Sequence, residues 1–289
     1  MTRPERSAVP PAALERTACA LCGSAEQEPA YPRFEPYAVV RCARCGFHYL
    51  SPRLREREMI ALYQNDAYYG GTDVGYDDYA AQEVPLRRTF RRFLERCAAR
   101  GLTGGAALEV GCGWGLFLDE ARGFFDRRVG TEFSPVGSDL ARQRADTIYQ
   151  GGPEAIPEAE LFDFVVTIQT IEHVYDPKTF LAKLVKHTRP GGHVVLATPN
   201  VGSLWRRAMG HRWPSFKLPE HVLYFDRASL SRLMREAGLG DIGKVPYLHA
   251  FPLPLVGRKL GVTLPQALGG FNLWFPQTTI ALYGTVPGG

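Results

Sequence analysis

The sequence predicts an α/β protein that has a doubly wound, mostly parallel sheet of seven strands and a smaller N-terminal module. From residue 106 onward, short apolar segments alternate with segments whose apolar residues recur at helical spacing. The first apolar segment runs into a turn that has three glycines at alternate positions, and two pairs of cysteines precede the whole region. Alternating strands and helices produce a sheet covered by helices on both faces, and the paired cysteines set the N-terminal module apart.

The predicted elements follow one another along the chain. Helical spacing of apolar residues from Leu86 to Cys97 predicts an amphipathic helix ahead of the sheet, with arginines on its other side. Strands are then predicted at residues 106–110, 128–132, 146–149, 162–168, 192–198, 242–248 and 278–286. Helices are predicted at residues 115–123, 135–144, 177–188 and 227–237. Pro190 and the two glycines that follow it predict a turn between a helix and the next strand.

Length and composition are typical of a globular protein in a reducing compartment. The 289 residues can hold one large domain and a small one, and the 45% hydrophobic and 22% charged residues are ordinary proportions. A formal net charge of +4 does not require nucleic acid or an anionic membrane as a partner. Residues 1–14 predict a disordered N-terminus, without the apolar region of a secretory signal. Because no apolar run reaches the roughly 18 residues of a membrane span, we expect a cytoplasmic protein.

Four of the six cysteines form two C-x-x-C pairs, Cys19 with Cys22 and Cys42 with Cys45. This spacing is typical of Zn²⁺ sites, and four thiolates close a tetrahedron without an open position, as in a structural site. Two disulfides or unrelated thiols are the alternatives, but the absence of a secretory signal favours zinc. Residues 15–52 are therefore predicted to form a zinc ribbon.

The glycine-rich turn begins at Glu109 and ends at Gly115. Glycine has no Cβ, so such a turn can be tight and a ligand can approach its backbone closely. A strand, a glycine-rich turn and a helix in this order are typical of a nucleoside-cofactor site at the edge of an α/β sheet. Leu116 stands where a dinucleotide fingerprint requires its third glycine, and no Gly-Lys-Ser/Thr follows as in a Walker loop. The remaining pattern is E-x-G-x-G-x-G.

Polar residues follow two of the other predicted strands. Glu132 ends the strand at 128–132, where a carboxylate can accept both ribose hydroxyls of an adenosine, although a surface glutamate is the alternative. The strand at 162–168 leads into the segment from Gln169 to Val174. Because the end of this strand lies beside the glycine-rich turn in such a sheet, the segment is expected to border the reacting centre.

Five sequence segments follow one another along the chain: LEVGCGWG, GTEFSP, FDFVVTIQTIEHVYDP, RPGGHVVLATPN and PEHVLYFDRASLSRLMREAGL. Over residues 55–245, they resemble the class I S-adenosylmethionine (SAM) methyltransferases of the Methyltransf_23 and ubiquinone-biosynthesis O-methyltransferase type. The cysteine-containing front segment is similar to zinc-ribbon extensions of many bacterial members of that group. The resemblance implies a seven-stranded, Rossmann-like methyltransferase sheet with an N-terminal zinc ribbon.

The same resemblance implies a SAM site. The acidic residue and glycines of the turn would surround the methionine and ribose, Glu132 would bind the ribose hydroxyls, and the turn at Gly152 would border the adenine. The implied cofactor residues are Glu109, Gly111, Cys112, Gly113, Gly115, Glu132, Phe133, Gly152 and Gln169. Two positions depart from the family pattern, since relatives often have an acidic residue at Gly152, and metal-binding ubiquinone-type enzymes have glutamate at Gln169. The glutamine argues against a divalent metal in the active site.

Methyl transfer from a sulfonium is an in-line displacement, so the protein mainly aligns the reactants and excludes water. A hydroxyl nucleophile also benefits from a general base with a pKa near neutrality, and histidine is the side chain of that kind. His173 follows the fourth predicted strand and His221 follows the fifth, so both are predicted to be catalytic. The alternatives are an anchoring role for His173, and substrate positioning or helix capping for His221.

Residues 53–104 are predicted to form a helical, tyrosine-rich cap and linker, and residues 105–289 to form the methyltransferase domain. The aromatic segment 201–225 and the apolar stretch 246–277 are predicted to cover the substrate. Predicted substrate residues are Tyr68, Tyr76, Trp205, His211, Trp213 and Phe216. The apolar stretch also fits a dimer contact or a membrane surface, and its lack of a basic face makes the membrane the weaker alternative.

These observations favour a SAM-dependent enzyme that methylates a hydroxyl of a small molecule in secondary, natural-product or lipid-like metabolism. The acceptor could be lipophilic or carrier-bound, and the enzyme could be a homodimer. Sugar C-methylation is an alternative, although the zinc-ribbon enzymes of that kind are longer chains with an extra C-terminal domain. RNA methylation with the ribbon as reader is a second alternative, against which the weak net charge argues. A non-catalytic SAM-binding scaffold is a third, against which the intact turn and the two histidines argue.

Overall fold

The computed structural model describes residues 10–31, 34–63, 82–254, 257, 262–263, 265 and 271–288. The predicted substrate residues Tyr68 and Tyr76 lie outside these residues. Among the described helices, none combines the length and the apolar character that crossing a bilayer would require.

The N-terminal residues form short antiparallel strands around the four paired cysteines. These elements are β1 (Leu14–Glu15), β2 (Gln27–Pro29), β3 (Val39–Cys42), β4 (His48–Leu50), β5 (Arg53–Leu54) and helix α1 (Glu56–Tyr63). β2, β3 and β4 pair in chain order, and β1 pairs with β5. The second cysteine pair lies where β3 turns toward β4.

Strands and helices then alternate as the sequence predicts. Helix α2 (Glu83–Ala98) comes first. The strands are β6 (Ala106–Val110), β7 (Arg127–Glu132), β8 (Thr147–Gln150), β9 (Phe162–Ile168), β10 (Thr188–Pro199), β11 (Leu223–Tyr224), β12 (Gly240–Lys244), β13 (Leu248–Pro252), β14 (Asn272–Pro276) and β15 (Thr279–Thr285). The helices are α3 (Leu116–Glu120), α4 (Pro135–Ala141), α5 (Pro177–Lys186), α6 (Leu204–Met209) and α7 (Arg227–Glu236).

Seven of the strands form the central sheet, in the order β12-β15-β10-β9-β6-β7-β8. The five strands from β10 to β8 are parallel, and β15 runs antiparallel to both β10 and β12. The direction of winding reverses between β6 and β9. In an open α/β sheet, ligands bind in the crevice at the carboxyl ends of the strands at such a reversal. The doubly wound, mostly parallel sheet confirms the predicted fold class.

Apolar side chains on both faces of the sheet hold the helices. Leu108 of β6 belongs to a buried cluster that includes residues of α5, α7 and the N-terminal strands. Its neighbour Ala107 points to the opposite face and belongs to a cluster with residues of α2 and α3. This alternation along one strand is what a sheet buried on both faces requires.

The strand predicted at 242–248 is interrupted in the structure. β12 ends at Lys244 and β13 begins at Leu248, with Pro246 between them. Proline has no N–H to give to a strand ladder, which explains the break. β13 pairs with β14 as a separate hairpin, and the N–H of Ala250 donates to Thr89 Oγ1 of α2 at 3.0 Å. Part of the apolar stretch 246–277 is therefore a hairpin held against α2.

The short strand β11 does not belong to the central sheet. It pairs with β4, so that Leu223 lies opposite Tyr49 and Tyr224 lies opposite His48. The N-terminal sheet accordingly has the order β11-β4-β3-β2. The segment after β10 thus supplies the fourth strand of the sheet that contains the second cysteine pair.

Candidate active site

The glycine-rich turn connects β6 to α3 beside the crevice between β6 and β9. The N–H groups of Gly111 and Cys112 both donate to the carbonyl of Thr131, at 3.0 and 2.9 Å, and fix the turn against β7. Gly111 has a φ of 78°, and a Cβ there would lie 2.6 Å from Oγ1 of Thr170. Gly115 has a φ of 74°, and a Cβ there would lie 3.0 Å from the α4 backbone. Both the conformation and the close approach require glycine at these two positions.

Two carboxyl groups flank the turn. Glu132 accepts the N–H of Gly113 at 2.8 Å on one oxygen and the N–H of Ser134 at 2.9 Å on the other. Glu109 is 3% exposed, and its Oε2 finds no hydrogen-bond partner within the described part of the chain. Burial, and then the charge of Glu132, raise the pKa of Glu109 well above its usual value. A buried carboxyl oxygen without a donor fits a site that a ligand completes, and the ammonium and hydroxyl groups of SAM are suitable donors.

The remaining predicted residues on the adenosine side differ in exposure. Cys112 is buried, and its sulfur packs so closely against Gly130 that a Cβ on that glycine would lie 2.8 Å from it. Only the backbone of Cys112 therefore remains at the turn. Phe133, directly after β7, is 62% exposed. The N–H of Gly152 donates to Oε1 of Glu154 at 2.9 Å, so a carboxylate lies against this turn although position 152 itself is glycine.

Gln169 follows β9 directly and adopts the left-handed conformation, with a φ of 55°. Its N–H donates to the carbonyl of Ala197 at 2.8 Å, and its side-chain amide donates to Oγ1 of Thr279 at 3.3 Å. This conformation is uncommon for a residue other than glycine, and contacts from β10 and β15 hold it here. Gln169 thereby sets the direction in which the chain continues toward His173.

His173 and His221 come together from two separate segments. Their ring centroids lie 4.7 Å apart, and the ring planes meet at 85°. Nδ1 of His221 lies 2.9 Å from the carbonyl oxygen of Ser215. Because a carbonyl only accepts, Nδ1 carries the hydrogen and Nε2 keeps its lone pair. His173 hydrogen-bonds the backbone of Glu220, the residue before His221.

A buried carboxyl group adjoins the two histidines. Glu172 is 1% exposed, accepts the Thr198 hydroxyl at 2.8 Å on Oε2, and has no partner for Oε1 among the residues described. Burial raises the pKa of Glu172 to about 8. Burial and the charge of Lys217 lower the pKa of His221 to about 3, and burial beside His221 lowers the pKa of His173 well below its usual value. Both imidazoles are therefore unprotonated at neutral pH and have a free lone pair, but burial holds the pKa of each ring well below the near-neutral value that favours an efficient general base.

The four paired cysteines form a group that could hold a metal. Their sulfur atoms all lie within 4.8 Å of one another, and two of the pairs of sulfurs are 3.5 Å apart. A tetrahedral zinc with thiolates at about 2.3 Å separates its sulfurs by roughly 3.8 Å. Gly23 and Gly46 have φ values of 74° and 76°, and each donates its N–H back to the first cysteine of its own pair. The free thiols and both turns are compatible with a zinc knuckle.

Glu172, His173 and His221 also place one potential ligand atom each within 4.8 Å of one another. Glu172 already accepts the Thr198 hydroxyl. Gln169, which stands where metal-binding relatives are expected to have glutamate, turns its amide to Thr279. These contacts occupy Oε2 of Glu172 and the Gln169 amide, and leave Oε1 of Glu172 and the two imidazoles as the remaining donor atoms of this group.

The predicted substrate residues that are described fall into different surroundings. The Trp205 indole donates to the carbonyl of Pro276 at 2.8 Å and its ring lies 5.1 Å from that of Phe275, so it contacts the β13–β14 hairpin. Trp213 is buried and meets the Phe216 ring at 5.1 Å. His211 is exposed. The structure thus groups Trp213 with Phe216, and directs Trp205 toward the hairpin.

Several residues that support this site are not among those predicted from the sequence. Thr198 hydrogen-bonds Glu172, and Thr170 occupies the space that Gly111 leaves open. Glu220 is buried beside His221, at 2% exposure. A signal was present in each case, because all three lie at strand ends or in the same short motifs as the selected residues. His249 gave no such signal; it stacks on Phe251 with centroids 4.4 Å apart in the hairpin.

Known proteins of one family are similar to this chain in sequence and in fold. The family model Methyltransf_23, described as a methyltransferase domain, matches residues 82–242. A relative from Mycolicibacterium smegmatis, named "Probable S-adenosylmethionine-dependent methyltransferase", is 30% identical over 181 residues, which are 62% of this chain and 66% of the relative. A ubiquinone biosynthesis O-methyltransferase from Aromatoleum aromaticum is 28% identical over 153 residues, 48% of this chain and 65% of the relative. The matches thus span just under two thirds of these relatives' lengths.

Solved structures show the same fold. A SAM-dependent methyltransferase from Thermotoga maritima superposes with a TM-score of 0.53 at 20% identity, over 72% of this chain and 94% of that one. One from Archaeoglobus fulgidus superposes with a TM-score of 0.50 at 16% identity, over 72% of this chain and 98% of that one. At these identities the similarity concerns the fold.

Proposed function

The chain belongs to the SAM-dependent methyltransferases of the Methyltransf_23 family, and we propose that it transfers a methyl group from SAM to a hydroxyl of a small-molecule acceptor. The observation that carries this proposal is that two groups of residues lie side by side at the ends of adjacent strands. The glycine-rich turn with its buried carboxyl groups follows β6, and the segment with Glu172 and His173 follows the adjacent strand β9. A cofactor site and a proton acceptor therefore adjoin the same crevice.

The residues around the turn fit SAM by their chemistry. Bound SAM supplies a methyl group on a sulfonium, already activated for in-line displacement. Glu132, fixed by two backbone N–H groups, would accept hydroxyls of the ribose. Glu109 would face the cationic methionine end, where a positive charge favours its ionised form. Because Gly111 and Gly115 have no side chains, the backbone of the turn would face the cofactor directly.

The two histidines supply the acid–base chemistry in this proposal. His221 Nε2 carries a lone pair because Nδ1 donates to Ser215, so Nε2 would take the proton of the acceptor hydroxyl. His173 packs edge-to-face against it and restricts its orientation. Proton transfer to a positioned base contributes typically about 10²- to 10⁴-fold to a rate.

The preference for a hydroxyl draws on relatives. Two relatives, from Aromatoleum aromaticum and Rhodopseudomonas palustris, are named as ubiquinone biosynthesis O-methyltransferases and are 28% and 27% identical to this chain. Alongside O-methylation, we propose a structural zinc on the four paired cysteines, a small acceptor from natural-product or lipid-like metabolism, and a cytoplasmic location.

The test has a binding part and a chemical part. Calorimetry with S-adenosylhomocysteine should give saturable binding at one site per chain, and no binding would refute the SAM site. The chain is then incubated with methyl-labelled SAM and a metabolite extract, and labelled products are identified by mass spectrometry and NMR. A labelled methoxy group supports the proposal, whereas a label on carbon or on RNA contradicts it.

The matched variants are His221→Gln and His193→Gln. His193 lies in β10 and contacts Thr285, at the opposite edge of the sheet from the glycine-rich turn. We expect His221→Gln to lower the initial rate at least 100-fold and His193→Gln to leave it within twofold. Equal rates for the two variants would remove His221 from the base role.

A further inference from the structure

The residue beside the proposed base is hydrogen-bonded on both sides. The carbonyl of Val222 accepts the N–H of Leu50 in β4 at 2.9 Å, and its N–H donates to the carbonyl of Glu172 at 2.8 Å. Val222 is fully buried, so water does not compete for these bonds. One residue therefore connects the cysteine-containing sheet to the turn that carries His173.

Side chains reinforce the same connection. The Phe216 ring lies 4.7 Å from that of Tyr31 and 5.5 Å from that of Phe34, both in the N-terminal module. The preceding residue, Ser215, supplies the carbonyl that holds Nδ1 of His221. Contact of Tyr31 with Phe216 is thus one residue away from the hydrogen bond that orients the imidazole.

The two-strand pairing of β11 with β4 completes the connection. β4 follows the second cysteine pair, and the sulfur atoms of both pairs converge within 4.8 Å. A metal held by four thiolates fixes the loops that carry them, and such loops commonly lose their fold when the metal is removed. Whatever fixes the cysteine knuckles consequently fixes β4, and through β4 the segment that contains His221.

We propose that the N-terminal module, which carries the four paired cysteines, positions the catalytic side chain that would face the methyl acceptor. Strand β4 holds Val222 and thereby sets where His221 lies relative to His173. In this arrangement, the module orients His221 through backbone hydrogen bonds, and a metal on the four cysteines would act on catalysis through this connection. The inference rests on the proposed function only where it names His221 as the base.

Hydrogen exchange tests the proposal on the full chain without any acceptor. Zinc is removed with a chelator under reducing conditions, and amide exchange is followed by mass spectrometry and NMR. We expect exchange of the Val222 amide to accelerate at least tenfold, while amides in β6 and β9 stay within threefold. Unchanged protection of Val222, a uniform loss of protection across the central sheet, or full protection in a purified chain that carries no zinc would each overturn the proposal.

A pair of variants separates positioning from general stability. Tyr31→Ala removes the ring that contacts Phe216, and Arg44→Ala removes an exposed side chain of the same module. In Tyr31→Ala, exchange of the His221 Nδ1–H with solvent, measured by NMR at neutral pH, should accelerate at least tenfold as its hydrogen bond to the Ser215 carbonyl loosens. Arg44→Ala should leave it unchanged. Unchanged exchange of the His221 Nδ1–H in a folded Tyr31→Ala variant contradicts the proposal.

The outcomes stay distinct from those of the proposed function. If the wild-type chain does not bind S-adenosylhomocysteine, the enzyme assignment is refuted and the hydrogen-exchange result is unaffected. Retained binding, with affinity within twofold in Tyr31→Ala, shows that the cofactor side is intact. A change in His221 with unchanged cofactor affinity is the pattern that the positioning role requires.

Discussion

The imidazoles of His173 and His221 meet edge-to-face at 4.7 Å, although one follows β9 and the other precedes β11. Burial lowers the pKa of both rings, while it raises the pKa of the neighbouring Glu172 to about 8. The three side chains therefore form a cluster without net charge at neutral pH. Acid protonates the histidines and base ionises the glutamate, so both directions of pH change place charge in a buried site.

This cluster predicts a pH dependence of the free energy of unfolding. The pKa of His221 is about 3 in the folded chain and about 6.5 when unfolded, so between these values the unfolded chain binds the extra proton. Stability from His221 is therefore complete above pH 6.5 and is lost as pH falls. Between pH 7 and pH 5 the loss is about 2 kcal/mol. Urea unfolding at the two pH values should show that His221→Gln loses less stability in acid than the wild type.

Glu172 contributes to the pH dependence of the free energy of unfolding with the opposite sign, and Glu172→Gln tests this contribution. The folded Glu172 binds a proton between about pH 4.5 and pH 8 while the unfolded residue does not, so its contribution falls as pH rises through that range. Replacing it should therefore reduce the loss of stability between pH 5 and pH 8. Parallel pH dependences for the wild type and both variants would show that these side chains are solvated rather than buried.

Glu132 should determine cofactor affinity. Its carboxylate is held by the N–H groups of Gly113 and Ser134, so its position is fixed before a ligand binds. Glu132→Ala removes the hydrogen-bond acceptor for the ribose and also leaves the N–H groups of Gly113 and Ser134 without their acceptor. We expect the dissociation constant for S-adenosylhomocysteine, measured by calorimetry, to rise at least tenfold.

Asp139→Ala is the matched control for Glu132→Ala. Asp139 is an acidic residue of α4 whose side chain is 74% exposed. Its removal should leave the dissociation constant within twofold. Equal affinities for the two variants would exclude Glu132 from the ribose site.

The sequence was sufficient to predict the fold because its signals were local. The strand predicted at 162–168 coincides with β9, and the helices predicted to start at Pro135 and Pro177 begin there. Apolar runs, helical spacing and prolines at the first helical position are short-range patterns that a single chain displays. The glycine-rich turn was predictable for the same reason.

Contacts between distant segments were not predictable in this way. β11 consists of two residues, and its pairing with β4 gives no periodic signal in either segment. The aromatic segment 201–225 reads as a substrate cover, yet the Phe216 ring contacts Tyr31 and Phe34 of the N-terminal module. Such contacts depend on how the chain returns to itself, which local composition does not specify.

Glycine at position 115 should be required for folding as well as for binding. Alanine there combines an unfavourable left-handed conformation with a Cβ that would lie 3.0 Å from the Ala141 backbone. Gly101 has a similar φ of 70° and open space around the position of a Cβ. We expect Gly101→Ala to lower the free energy of unfolding by about 1–2 kcal/mol. Gly115→Ala should cost about 1–3 kcal/mol more, because a backbone must move.

Urea unfolding of the two glycine variants isolates the steric part of the effect. Since both positions have left-handed φ values, the difference between the variants reports the contact with α4. Equal losses of stability would show that α4 moves away without cost. Gly115→Ala should also weaken S-adenosylhomocysteine binding, whereas Gly101→Ala should not.

The four paired cysteines should bind one zinc ion per chain. Their sulfurs converge within 4.8 Å, whereas Cys97 is buried separately in α2, where burial raises the pKa of its thiol to about 12. Elemental analysis of the reduced, purified chain should therefore give one zinc, reduced at least fivefold in Cys42→Ser and unchanged in Cys97→Ala. Because thiolates must lose their protons to bind zinc, acid should release the metal. Two disulfides detected by mass spectrometry in a zinc-free native chain would contradict the assignment.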